Sequence, residues 1–287
     1  MTQPVAISQA KPHFPIYGYV AGASLVVSEI LMFLRVEPFL TWFTPIQWTG
    51  YIFLLDALLV RFRGKGYIFH RTAEFIYMAA VSVAVWFLFE AYNLYLQNWK
   101  YINLPESLWV RMAGYVWAFA TIFPGVLLTS EVLDHFGLFQ SIRFSPINIT
   151  RKKLWGLMIF GFLSVTVPVL VPREIARYLF AFVWVGFVFL LDPVNYLLKR
   201  PSFLAQLEEG KVQKLLSLFM AGLICGLLWE FWNYWAGAKW VYTVPFLQEP
   251  KLFEMPLFGY LGFLPFAAEC YVFWQLFLHI WNPSDKI

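Results

Sequence analysis

Glu230 and Asn233 stand three residues apart in an apolar stretch, and Glu90 and Asn93 repeat that spacing in another. In a helix each pair shares one face. A carboxylate in the hydrocarbon of a bilayer costs at least about 2.5–3.5 kcal/mol, so an ionisable residue there is a functional-site candidate by default. An Asn amide beside a carboxyl can fix its orientation by hydrogen bonding. A carboxyl held away from water has the character of a general acid. Glu230 is thus the expected proton donor and Asn233 its orienter, with Glu254 or Glu269 as the second carboxyl. Glu90, Asn93, Trp232, Trp240, Tyr242, Asp56 and Asp192 are expected to line a substrate or solute path. Glu29 and Glu131 are further carboxyls in apolar surroundings.

Each of these residues also has a structural reading. Polar side chains inside a membrane tie helices together by hydrogen bonds, and that reading is favoured for Asp56 and Asp192. Trp and Tyr at the ends of apolar runs commonly form interfacial belts. The same aromatics lining a cavity would suit a polyene, or a carbocation stabilised on ring faces.

The elements that carry these residues follow from composition. Of 287 residues, 60% are hydrophobic, 21% aromatic and only 13% charged, against about 25% charged in an ordinary soluble domain. The apolar runs are continuous, as in 78–89, which excludes the in–out alternation of a membrane barrel. Hydropathy predicts about eight transmembrane helices near 16–35, 46–61, 72–92, 112–133, 154–171, 177–198, 214–236 and 256–281. The second and fifth of these are short. The fold class expected is an all-α polytopic integral membrane protein. Cys225 and Cys270 lie inside apolar segments and read as small buried hydrophobes. The four histidines are too few and too scattered for a histidine-rich di-iron site. No metal site or redox cofactor is expected, although a His pair holding haem stays open. The polar start before the first span does not resemble a cleavable signal.

Charge sets the expected orientation. Fourteen of the 21 Lys and Arg fall in the loops after the second, fourth and sixth spans and at the two termini. Arg61, Arg63, Lys65, Arg71, Arg143, Lys152, Lys211 and Lys214 are among them, with Lys11 and Lys286 at the ends. The positive-inside rule then predicts a cell-membrane protein with both termini cytoplasmic. The net charge of +4 gives no reason to expect nucleic acid.

The polar residues also recur. Gly50-Tyr51-Ile52-Phe53-Leu54-Leu55-Asp56 returns as Gly186-Phe187-Val188-Phe189-Leu190-Leu191-Asp192, and Phe89-Glu90-Ala91-Tyr92-Asn93 as Trp229-Glu230-Phe231-Trp232-Asn233. A Trp-rich loop follows each Glu-x-x-Asn, then Pro124 or Pro265, then Glu131 or Glu269. This predicts two tandem four-helix repeats, 1–145 and 146–287, which run parallel because each holds an even number of spans.

The second copy, from Glu230 through Trp240, Tyr242 and Glu254-Met255-Pro256 to Pro265 and Glu269, resembles the lycopene-cyclase domains of carotenoid biosynthesis. Those domains carry an acidic residue in a Trp-rich span end, a Trp-x-Tyr loop, then Pro and Glu opening the next helix. The Pro-x-Glu-Glu motif of that family has no intact counterpart here. The resemblance implies acid-catalysed cyclisation of an isoprenoid without redox turnover. The first functional expectation is therefore a membrane enzyme acting on a lipophilic substrate by carboxylic-acid proton transfer. The second is a proton-coupled transporter with Asp56, Asp192, Glu90 and Glu230 along the seam between the repeats. The third is an accessory subunit binding pigment or quinone. Beyond the bilayer and a lipophilic small molecule, a membrane-protein partner or a second copy of the chain is a further expected contact.

Overall fold

The computed structural model describes residues 13–281. Lys11 and Lys286, two of the expected cytoplasmic cations, lie outside the described residues. Among those described, eight segments are helical, long and apolar enough to cross a membrane, and the chain is an all-α polytopic membrane protein.

The helices are α1 (Ile16–Phe33), α2 (Phe43–Arg63), α3 (Thr72–Leu96), α4 (Leu108–Ala120) and α5 (Ile122–Phe136). They continue with α6 (Arg151–Leu170), α7 (Arg173–Ala176), α8 (Phe180–Leu197), α9 (Phe203–Glu208), α10 (Gln213–Trp235) and α11 (Phe263–Trp281). Helices α4 and α5 together make the fourth span, and a 3-10 turn (Leu257–Gly262) with α11 makes the eighth. The second and fifth spans, short by hydropathy, run to 21 and 20 residues, which is membrane-spanning length at about 1.5 Å per residue. The fifth gains the basic first turn Arg151-Lys152-Lys153, and the second gains residues at both ends, up to the basic Arg63.

Both composite spans break three residues before a proline. Thr121 separates α4 from α5 ahead of Pro124, and Gly262 precedes α11 ahead of Pro265. A proline has no N–H to donate and clashes with the preceding turn. It is tolerated in a helix's first turn, where no intrahelical partner exists for that N–H.

In the packing, α1 lies on α2 and α6 on α8, while α5 and α11 are central and touch each other, α5 packing on α2 and α10 and α11 on α8 and α10. The closest approaches need glycine. A Cβ on Gly222 would stand 2.3 Å from the Phe263 carbonyl oxygen, and one on Gly161 would stand 2.4 Å from the Leu190 nitrogen. Small residues let membrane helices approach at backbone distance. The outward faces are apolar, with Leu94 and Leu170 each 78% exposed, as lipid contact requires.

Loops after odd-numbered and even-numbered spans gather at opposite ends of the bundle. At one end β1 (Trp99–Ile102) pairs antiparallel with β2 (Lys239–Tyr242). At that end Asn98 Nδ2 also donates to the Arg177 carbonyl. At the other end Arg63 pairs with Glu131 and Lys214 with Asp134, and Arg143 bridges to Lys211. Strands β3 (Lys251–Leu252) and β4 (Met255–Pro256) form a small hairpin ahead of the eighth span.

Candidate functional site

The β1–β2 ribbon is the starting point because the Glu-x-x-Asn pairs hold it. Asn93 Oδ1 accepts from the backbone N–H groups of Asn98 and Trp99, and its Nδ2 donates to the Trp99 carbonyl. Asn233 does the same for Trp240: Oδ1 accepts from its N–H and Nδ2 donates to its carbonyl, each at 2.9 Å. Asn233 was expected to orient Glu230. Its amide is instead spent on the strand that follows its own helix, because that strand's backbone returns across the helix end.

Each glutamate meets the ribbon's side chains. Glu90 Oε1 accepts from Tyr101 Oη at 2.5 Å, from Trp86 Nε1 at 3.1 Å and from Trp99 Nε1 at 3.2 Å. Glu230 Oε1 accepts from Tyr242 Oη at 2.6 Å, and that phenol accepts from Trp240 Nε1 at 3.0 Å. Glu230 is fully buried, and its Oε2 has no partner. Register places Trp99 opposite Tyr242 and Tyr101 opposite Trp240, so each Glu–Tyr pair sits beside the Trp of the other strand.

Beneath the ribbon lies a cavity of about 490 Å³ with an almost wholly apolar wall, within the range of about 300–1,000 Å³ common for small-molecule sites. Trp99, Tyr101, Trp240 and Tyr242 line it from the ribbon side, and Trp86, Trp184, Trp229 and Phe266 from the helices. Those four rings touch one another: Trp86 lies 5.9 Å from Trp229, 5.8 Å from Phe266 and 6.4 Å from Trp184 between centroids. Ile122 and Phe263, the first residues after the two helix breaks, also line it. Tyr101 and Tyr242 lie outside the spans. Loss of solvent raises both phenols well above their ordinary pKa, and the adjacent carboxyls of Glu90 and Glu230 push the same way.

The remaining expected residues lie elsewhere. Asp56 accepts from the N–H groups of Tyr67 (2.5 Å) and Ile68 (3.2 Å), and Asp192 from those of Phe203 (2.7 Å) and Leu204 (2.9 Å). Both aspartates therefore hold the loop eleven and twelve residues downstream, at the end of the bundle away from the ribbon. Glu254 forms an ion pair with Lys239 at 2.5 Å. Glu269 is fully buried on α11, and neither carboxyl oxygen has a hydrogen-bond partner, but it does not line the cavity. Trp232 packs on Trp48 and Tyr51, behind the cavity wall, and does not line the cavity. Glu131 accepts from Arg63 and from the Tyr67 hydroxyl, and Glu29 from Gln47.

Trp48, Trp86, Trp184 and Trp229 were not singled out from sequence. One signal was present: Trp48 and Trp184 each stand eight residues before the recurring aspartates. Among the described residues no group of three or more His, Cys, Asp or Glu could hold a metal ion.

No protein-family model, curated protein or solved structure matches the chain, so the reading of this site rests on its own geometry.

Proposed function

We propose that this protein is a membrane enzyme acting on a lipophilic isoprenoid or related polyene, with proton transfer relayed through its two Glu–Tyr pairs. The observation that carries this reading is that two carboxyl–phenol pairs, Glu230–Tyr242 and Glu90–Tyr101, meet one aromatic, apolar cavity. In the reaction the Tyr242 hydroxyl, which donates to Glu230 at rest, turns toward a substrate double bond and gives its proton there, while Glu230 gives its own to the phenol oxygen. The resulting carbocation faces the indole rings of Trp86, Trp184 and Trp229, whose π faces attract cations. Loss of a proton from a neighbouring carbon, through Tyr101 to Glu90, completes the isomerisation; Glu90 then releases one proton to water and Glu230 takes one up, which restores both carboxyls. The product is an isomer or ring-closed form of the substrate, with no oxidant, reductant or added atom. The three donors on Glu90 suit it to the accepting role, and the lone phenol contact of Glu230 suits it to the donating one.

The test is expression of the wild-type chain and of Glu230→Gln in cells supplied with linear polyenes, followed by analysis of lipid extracts. A new isomer or cyclised product is expected with the wild type and not with the variant, at equal yield of folded protein. Product formation that persists in Glu230→Gln overturns the proposal.

A second reading, a transporter, is favoured by one feature: both discontinuous spans break at the cavity wall, an arrangement suited to solute sites. It calls for solute flux in reconstituted vesicles that collapses on substitution at the cavity wall, as in Tyr242→Phe. The inference that the chain holds two copies of one unit is supported by the matched bonds of Asp56 with Asp192 and of Asn93 with Asn233. The inference that both termini are cytoplasmic is supported by the gathering of the basic loops at the end opposite the ribbon.

A further inference from the structure

We propose that the molecule bound in this cavity is an amphipathic lipid with an oxyanion head, a carboxylate or phosphate, and that Arg111 anchors that head. The inference rests on the reading of the cavity as a lipophilic binding site and adds the polar end of the ligand. Two cationic side chains line the cavity, Arg111 and Lys239. Lys239 has its counter-ion in Glu254 at 2.5 Å. Arg111 has none: among the described residues nothing makes a hydrogen bond or ion pair with its side chain, and its Nε is shielded from solvent without a partner.

Of the carboxylates at this end of the bundle, Glu90 is engaged by three donors and Glu254 by Lys239, and Glu106, Glu174 and Glu249 form no ion pair with Arg111. Arg111 is half-buried, and leaving its shielded Nε without an acceptor carries a cost. Its planar fork matches a carboxylate or phosphate in two parallel hydrogen bonds. Polar groups of other lining residues are also unpaired. Thr44 Oγ1, Trp48 Nε1 and Asn98 Oδ1 belong to cavity-lining residues and are likewise buried without partners. The wall beyond them is aromatic and aliphatic, which suits the chain of the same molecule.

The test uses the full chain purified in detergent and cis-parinaric acid, a polyene fatty acid that accepts energy from tryptophan. The cavity tryptophans report binding directly, with parinaric methyl ester as the uncharged control. The acid is expected to bind about tenfold or more tighter than the ester. Arg111→Gln should bring the acid down to the ester's affinity, and Arg111→Lys should restore part of the difference. Glu230→Gln should leave both affinities unchanged, which separates binding from chemistry. A C20 prenyl monophosphate and its alcohol, used as competitors, distinguish the two heads. Stronger competition by the phosphate than the fatty acid assigns a phosphate head, and the reverse a carboxylate. If acid and ester bind alike in the wild type, or if Arg111→Gln keeps the preference, the head-group inference is overturned while the cavity reading stands. If neither probe binds, both fall.

Discussion

At the residue scale the informative unit is a carboxyl joined to a phenol, repeated twice. Tyr242→Phe removes the relay and leaves the ring packed, so product formation is expected to fall by about 10²-fold or more, while lipid-probe binding holds within about twofold. Measuring both on one preparation checks the assignment, and unchanged turnover sinks it. The phenols also give a pH dependence with a defined sign. Burial and the neighbouring carboxyls raise Tyr101 and Tyr242 above the ordinary value of 10.0. The folded state therefore keeps protons that the unfolded chain gives up. The resulting stability is complete below about pH 10 and is lost as pH rises through the folded-state values. Thermal unfolding in detergent should show an alkaline loss that becomes smaller in a Tyr101→Phe, Tyr242→Phe double variant. From the sequence, Glu230 and Glu90 were legible as costly residues in apolar runs. Their partners were not, because Tyr101 and Tyr242 reach them only when the ribbon folds back over the helix ends. The role of Asn233 was missed for the same reason: an i,i+3 pair on one helix face says nothing of a strand that returns to that face.

At the scale of elements, three devices position the site: aspartates that hold the loops, prolines that break two spans, and glycines that let α10 meet α11. Asp192 satisfies two buried backbone N–H groups. Asp192→Ala leaves both unpaired, at about 1–3 kcal/mol each. A clear fall in the detergent unfolding temperature is expected, with Asp192→Asn losing less because its Oδ1 can still accept. Gly222→Val makes an independent case. Its Cβ alone would meet the Phe263 carbonyl at 2.3 Å, so the eighth span must be pushed outward. Since Phe263 and Phe266 line the cavity, loss of parinarate binding should accompany the loss of stability. A Gly222→Val protein that binds normally contradicts this packing. From sequence the aspartates read chiefly as structural, and their bonds are to backbone N–H groups. The helix breaks were not resolved, because proline in a membrane span bends, breaks or merely tops a helix, and only packing decides which. Trp86 and Trp229 were obscured by composition: where a fifth of all residues are aromatic, an indole carries a signal only where it recurs in register, as Trp48 and Trp184 do.

For the whole molecule, continuous hydropathy and clustered charge made the eight spans legible, since both are local properties. Orientation is a different matter, because it depends on the side of the membrane on which the basic loops remain. The structure puts the loops bearing Lys65 and Lys152 at one end and those bearing Lys100 and Lys251 at the other, all four exposed. Cys225 and Cys270, the only cysteines, are buried and unpaired, so cysteines introduced at the four lysines can be labelled against a quiet background. The excess of basic residues at the Lys65 and Lys152 end predicts that this end faces the cytoplasm. An impermeant maleimide added to intact cells should label Lys100→Cys and Lys251→Cys at once, and Lys65→Cys and Lys152→Cys only after the membrane is opened. The reverse pattern would invert the molecule and turn the ribbon and cavity toward the cytoplasm. A split within either pair would contradict the eight-span fold itself. The expected pattern has a chemical consequence. Arg111 and the ribbon-covered cavity then lie toward the outer leaflet, so an acidic lipid would reach Arg111 from that leaflet with its chain passing between the helices into the aromatic wall.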